Sequence, residues 1–172
     1  MITVISTCQK KIAELEFVDP IVRIAKKFGK VEICSYREIP KESSAYIISG
    51  TSLMDFDYMN FEDNFYWIKK SRVLGICAGF QIISRIFGEK IEDGGFIGVK
   101  ETELGKSYFL FSKHVKKFEN FKVLASANFP FGTIPIFVKH KNLPIYATLF
   151  HPEVYNQFII EKFLMENAEG RI

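Results

Sequence analysis

A cysteine, a histidine and a carboxylate in this chain are spaced so that they could act together. The cysteine lies in Val73-Leu74-Gly75-Ile76-Cys77-Ala78-Gly79-Phe80-Gln81. Val73 to Ile76 reads as a short buried strand. Apolar Phe80, Ile82, Ile83, Ile86 and Phe87 then recur at helical spacing, and Gly88 stops the pattern. Strand, sharp turn and helix with the reactive residue at the turn make a nucleophile elbow. Small neighbours let the backbone turn so tightly. Unpaired N–H groups at the helix start favour a thiolate and, later, an oxyanion. Cysteine is also among the most buried residue types, so the elbow alone leaves a core role open.

A thiol nucleophile needs a base, and the base needs an orienting acid. The histidines are His114, His140 and His151. Only His151 directly follows a strong buried run, Ile145 to Phe150. Open α/β sheets carry their sites at such strand ends. Glu153 lies two residues on, and Pro152 stiffens the link between them. Both side chains can then leave one turn together, with Glu153 on one ring nitrogen and Cys77 facing the other. The plainer alternative is a loop histidine before a helix that starts Pro-Glu. His140, between Lys139 and Lys141, reads as solvated surface.

The elements around these residues predict an α/β fold. Ile2 to Ile5, Val31 to Cys34 and Ala45 to Ile48 are short apolar strands. A helix is expected from Asp19-Pro20, with Asp19 as its cap, to Gly29, and another from about Glu62 to Lys70. Cys8 to Glu16 reads as a loop, and Gly88 to Gly98 as a turn-rich link. Strands alternating with helices imply a parallel sheet covered on both faces. From Val99 to Val138 the runs Tyr108 to Phe111, Lys122 to Ala125 and Ile134 to Val138 suggest a small mixed or antiparallel portion. A final helix is expected from about Asn156 to Asn167.

The two reactive segments together resemble the class I (triad) glutamine amidotransferases. The pattern of that family is Gly-x-Cys-x-Gly-x-Gln followed far downstream by His-Pro-Glu. Phe150-His151-Pro152-Glu153-Val154 is closest in flavour to the GMP synthase amidotransferase branch. The resemblance spans the chain and implies one flavodoxin-like, doubly wound domain over 1–172. It implies that Cys77 attacks the side-chain amide of glutamine, that His151 moves the proton and that Glu153 orients His151. It also implies an oxyanion hole from the N–H of Ala78 and that of Gly50 or Thr51. Gln81 would contact the bound glutamine. Ser112 and His114, in a segment similar to the family's glutamine-contacting one, would hold its α-amino and α-carboxylate groups. Many members carry two glycines and a proline after the third strand; here the turn reads Ser49-Gly50-Thr51-Ser52-Leu53.

Composition bounds the rest. The 172 residues are 48% hydrophobic and 25% charged, with a formal net charge of +3, which suits one ordinary globular unit. Lysines are scattered, so no nucleic-acid partner is expected. No run is long enough to span a bilayer, and Met1 to Ile5 has no secretory leader. Cys8, Cys34 and Cys77 are odd in number and widely spaced, against a disulfide framework or a metal site. A cytoplasmic setting without cofactor or metal is expected. The sequence holds no ATP-binding Gly-rich loop, so ammonia would pass to a separate synthetase. The rival readings are a cysteine hydrolase of another γ-glutamyl or peptide substrate, and a non-catalytic regulatory relative.

Overall fold

The computed structural model describes residues 1–169. Five strands run parallel: β1 (Ile2–Ser6), β2 (Val31–Ser35), β3 (Ala45–Ile48), β4 (Val73–Ile76) and β9 (Ile145–Thr148). β8 (Gly132–His140) and β7 (Phe121–Phe129) extend that sheet antiparallel at one edge. The strand order is β2-β1-β3-β4-β9-β8-β7. β1, β3 and β4 are buried along their whole length. That is why they read as continuous apolar runs rather than alternating ones.

Register decides what meets at the sheet's carboxyl edge. Ile48 of β3 pairs with Gly75 of β4, and Ile76 pairs with Thr148 of β9. Three neighbouring strands therefore end level, and the residues just past them share one rim. Those residues are Gly50, Cys77 and His151.

The helices are α1 (Glu14–Phe17), α2 (Asp19–Ala25), α3 (Ala78–Ile86), α4 (Pro152–Tyr155) and α5 (Gln157–Glu169). α2, α4 and α5 pack together, and α3 packs with a 3-10 stretch at Asp57–Lys70. Two glycines let α3 lie against the sheet. A Cβ at Gly75 would come within 2.6 Å of the Gly79 carbonyl oxygen. One at Gly79 would lie 2.7 Å from the Ile48 oxygen.

Several local expectations are corrected. Cys8 to Glu16 is not a loop throughout: Lys11–Ala13 is a 3-10 turn and α1 starts at Glu14. Phe17, fully buried, draws that segment onto the core. Asp19 is the first residue of α2 rather than its cap, and makes no capping bond. The helix expected from Glu62 begins at Asp57 and kinks at Phe61 (φ −117°, ψ 27°). It buries Tyr58, Phe65 and Ile68, and its 3-10 winding hides it from a search at 3.6-residue spacing.

Gly88 to Gly98 is not simply a link. β5 (Glu92–Thr102) runs through it and pairs antiparallel with β6 (Gly105–His114). Gly94 and Gly95 sit at a bulge inside β5, where the register slips between Asp93 and Phe96. The antiparallel portion is therefore split: β5–β6 is a separate ribbon, while β7–β8 belongs to the main sheet. Aromatic rings fasten the ribbon to β7, with Phe96–Phe129 centroids 5.4 Å apart and Phe109–Phe129 at 5.1 Å. Asn156, between α4 and α5, donates to Leu104 O at 3.2 Å and Lys106 O at 3.0 Å, which ties down the ribbon's turn.

Candidate active site

Cys77 occupies the elbow between β4 and α3 at φ 51°, ψ −91°. A side-chain-bearing residue at positive φ is held there only by surroundings that over-determine it. Its N–H donates to Thr148 O at 2.8 Å, and its carbonyl accepts the Gln81 N–H at 3.1 Å. The backbone is thus pinned to β9 on one side and to α3 on the other. The sulfur is left at the helix start.

His151 follows β9 in an extended conformation, and its N–H donates to Tyr108 O at 2.9 Å. The ring lies between Phe17 and Tyr108, with centroids 5.6 and 5.7 Å away. Nδ1 bonds Glu153 Oε1 at 2.8 Å, and both side chains are 1% exposed. Nε2 is buried without a partner. Burial disfavours the imidazolium, but Glu153 and then Cys77 outweigh it, and the pKa of His151 is held well above its usual value.

The turn after β3 forms the third side. Thr7 Oγ1 donates to Ser49 O at 2.9 Å and to Gly50 O at 3.0 Å. Peptides are trans, so N–H and C=O point opposite ways. The Gly50 and Thr51 N–H groups therefore face away from Thr7. Gly50 itself lies against His151 and Cys77.

β6 closes the top with its backbone. Leu110 O accepts the Cys77 thiol at 3.2 Å, and Lys113 O accepts Gln81 Nε2 at 2.7 Å. The half-open cleft beneath it is lined by Cys77, Ala78, Gln81, Thr51 and Ser112, among others. Gln81 is 3% exposed, and its Oε1 has no partner. Tyr58, also in the lining, has its pKa raised by burial and by the nearby Cys77, so its hydroxyl stays protonated.

Cys77, His151, Glu153, Gly50, Thr51, Ala78, Gln81 and Ser112 thus gather at one rim. His114 does not: it is buried outside the cleft, with Nδ1 on Gly94 O at 2.9 Å and its ring stacked on Phe131. His140 is not solvated surface either. Its Nδ1 accepts the N–H groups of Asn142 and Leu143, both at 3.1 Å, and its ring packs on Phe87 and Phe121. Burial, then Lys139, lowers its pKa. Asp55 and Tyr58 in the lining escape sequence reasoning, because Met54 to Asn60 shows no period to orient it. Among the described residues, no three His, Cys, Asp or Glu come together as a metal site. Nor is any described helix long and apolar enough to cross a membrane.

No family model matches the chain. It is 34% identical over 99 residues to one component of the glutamine-hydrolysing GMP synthase of Pyrococcus abyssi, covering 48% of this chain and 50% of that protein. It is 30% identical over 98 residues to the carbamoyl phosphate synthase small chain of Clostridium acetobutylicum, covering 50% of this chain and 28% of that protein. The matches thus span half, or less, of the length of these relatives. A solved structure described as a putative GMP synthase component from Thermoplasma acidophilum superposes with a TM-score of 0.81 at 19% identity, covering 99% of this chain and 96% of that one. A glutamine amidotransferase from Thermotoga maritima gives a TM-score of 0.64 at 13% identity, covering 99% and 86%.

The fold is that of glutamine amidotransferase domains, and the sequence resembles the class I branch of them over about half of its length. Within that class the chain is similar in sequence to GMP synthase components, over about half of its length.

Proposed function

We propose that the chain hydrolyses the side-chain amide of glutamine and hands the ammonia to an acceptor on a separate synthetase. One observation carries this reading. A buried His151 is fixed by Glu153 through Nδ1 and keeps an unpartnered Nε2 beside a strained Cys77. Strain and buried unpaired atoms are costly to keep without a use.

His151 Nε2 takes the Cys77 proton, and the sulfur attacks the amide carbon. The carbonyl oxygen becomes an oxyanion, held by the Ala78 N–H and that of Gly50 or Thr51. One such donor is worth about 3 kcal/mol. His151 returns the proton to the departing nitrogen as the C–N bond breaks, leaving a γ-glutamyl thioester. Water, activated by the same Nε2, then releases glutamate. Gln81, with Nε2 anchored on β6, turns its Oε1 to the substrate. The relatives are named as one component of a synthase and as a small chain, which supports a two-protein arrangement, with a GMP-forming synthetase as acceptor.

The test is labelling of Cys77 by a glutamine-mimicking diazoketone, together with glutamate release. Both are expected in the wild type and neither in Cys77→Ala. A wild-type protein that neither takes the label nor releases glutamate, with its synthetase present, overturns the proposal.

A further inference from the structure

A groove of about 350 Å³ lies between α5 and the strands β8 and β7. It shares no lining residue with the cleft beside Cys77. Its volume is that of a small-molecule site. The walls are largely apolar, with Leu124 from β7, Phe137 from β8 and Phe158 from α5. Phe158 is 47% exposed and Leu124 38%, so apolar surface on both banks is left to water.

The two ends of the groove differ. Leu104 lines it near the start of α5, where Asn156 holds the Leu104 carbonyl. Charges gather toward the other end. Tyr146 donates to Glu166 Oε2 at 3.1 Å, and Arg72 pairs with the same oxygen at 3.1 Å, which neutralises that carboxylate. Lys139 sits opposite Tyr146 across β8 and β9, with Nζ 5.7 Å from the Tyr146 ring centre. That ammonium donates only to a neighbouring carbonyl, His140 O at 3.2 Å. Lys162 stands one helical turn before Glu166, and neither lysine forms an ion pair with a described carboxylate. The charged end is therefore positive.

We infer that this groove binds an amphiphilic anion, with an extended apolar chain along Leu124, Phe137 and Phe158 and its anionic head between Lys139 and Lys162. From Phe158 to Glu166 α5 rises about 12 Å, so a compact anion cannot touch both ends. A nucleotide would set ring nitrogens and hydroxyls against walls that offer them no partner. The site stands apart from the proposed glutaminase.

Calorimetric titration of the full chain tests it with three probes that share one chain: decanoate, decyl alcohol (no charge) and decyltrimethylammonium (opposite charge), each below micelle-forming concentration. Decanoate is expected to bind one to one, about tenfold more tightly than the alcohol, with the ammonium weaker still. Joint Lys139→Met and Lys162→Met substitution should bring decanoate to the affinity of the alcohol and leave the alcohol unchanged. Leu124→Asp should abolish decanoate binding, and Phe158→Asp on the opposite bank should do the same. Thermal melts separate misfolding from lost binding. Equal affinity for all three probes, no saturable decanoate binding, or binding that survives both aspartates overturns the inference. So does a dimer in sedimentation that Leu124→Asp dissociates, because a second copy would then cover the groove.

Discussion

A methyl group on the α-carbon of Gly50 would lie 2.5 Å from Cε1 of His151. It would also stand 3.2 Å from Nδ1 and 3.3 Å from Cβ of Cys77. The ring cannot retreat, because Phe17 and Tyr108 pack against it and Glu153 holds its Nδ1. Gly50→Ala should therefore displace the imidazole while leaving the sheet intact. Labelling of Cys77 should slow about a hundredfold, the cost of a misplacement on the order of 1 Å. Far-UV circular dichroism should not change. Wild-type labelling in that variant would mean that the ring need not sit where it does.

The raised pKa of His151 makes stability depend on pH. Burial works against the charged ring, while Glu153 and Cys77 favour it and prevail. A group with a raised folded-state pKa stabilises fully below its unfolded value, about 6.5 for histidine. That contribution fades as pH rises through the folded-state value. Glu153→Gln removes the largest raising influence, so the ring should titrate at lower pH. Stability should then begin to fall at lower pH than in the wild type. Urea denaturation across a pH series, with NMR titration of the ring, tests this. An unchanged profile in Glu153→Gln would refute it.

Gly75→Ala and Gly79→Ala test the seat of the elbow. Each added methyl meets backbone, the Gly79 oxygen at 2.6 Å or the Ile48 oxygen at 2.7 Å. Such contacts are relieved only if α3 shifts off the sheet. Each substitution should cost about 1–3 kcal/mol or more, as overpacking does. Chemical denaturation reads the loss. Tolerance of both would show that α3 can move without consequence.

Asn156→Ala should loosen the ribbon that covers the cleft. It removes the donor for both Leu104 O and Lys106 O. The expected loss is about 1–3 kcal/mol, with faster amide exchange in β5 and β6 than in β1 or β3. Uniform exchange behaviour would argue that the Phe96, Phe109 and Phe129 rings alone hold the ribbon.

Lys113→Met bears on the surface. Losing an exposed pair with Asp93 should change stability by no more than about 1 kcal/mol. Thermal melts that show a much larger loss would give Lys113 a structural task instead.

Cys77, His151 and Glu153 were legible because each lies at the end of a short apolar run. There, local turn chemistry alone announces where the chain leaves the sheet. The same holds for β1, β3, β4 and β9, whose continuous hydrophobicity follows from burial on both faces. Local pattern did not reach the winding of Asp57–Lys70, the strand through Gly94-Gly95, or the burial of His114 and His140. Those depend on what packs alongside. Phe131 and Gly94 enclose His114, Phe87 and Phe121 enclose His140, and a 3-10 coil follows no helical period. Asp55 and Lys113, 58 positions apart in the numbering, line one cleft only through tertiary packing. Sequence determined the strand ends that carry Cys77 and His151. Register between β3, β4 and β9, a cooperative property of long-range pairing, decided that those ends stand level.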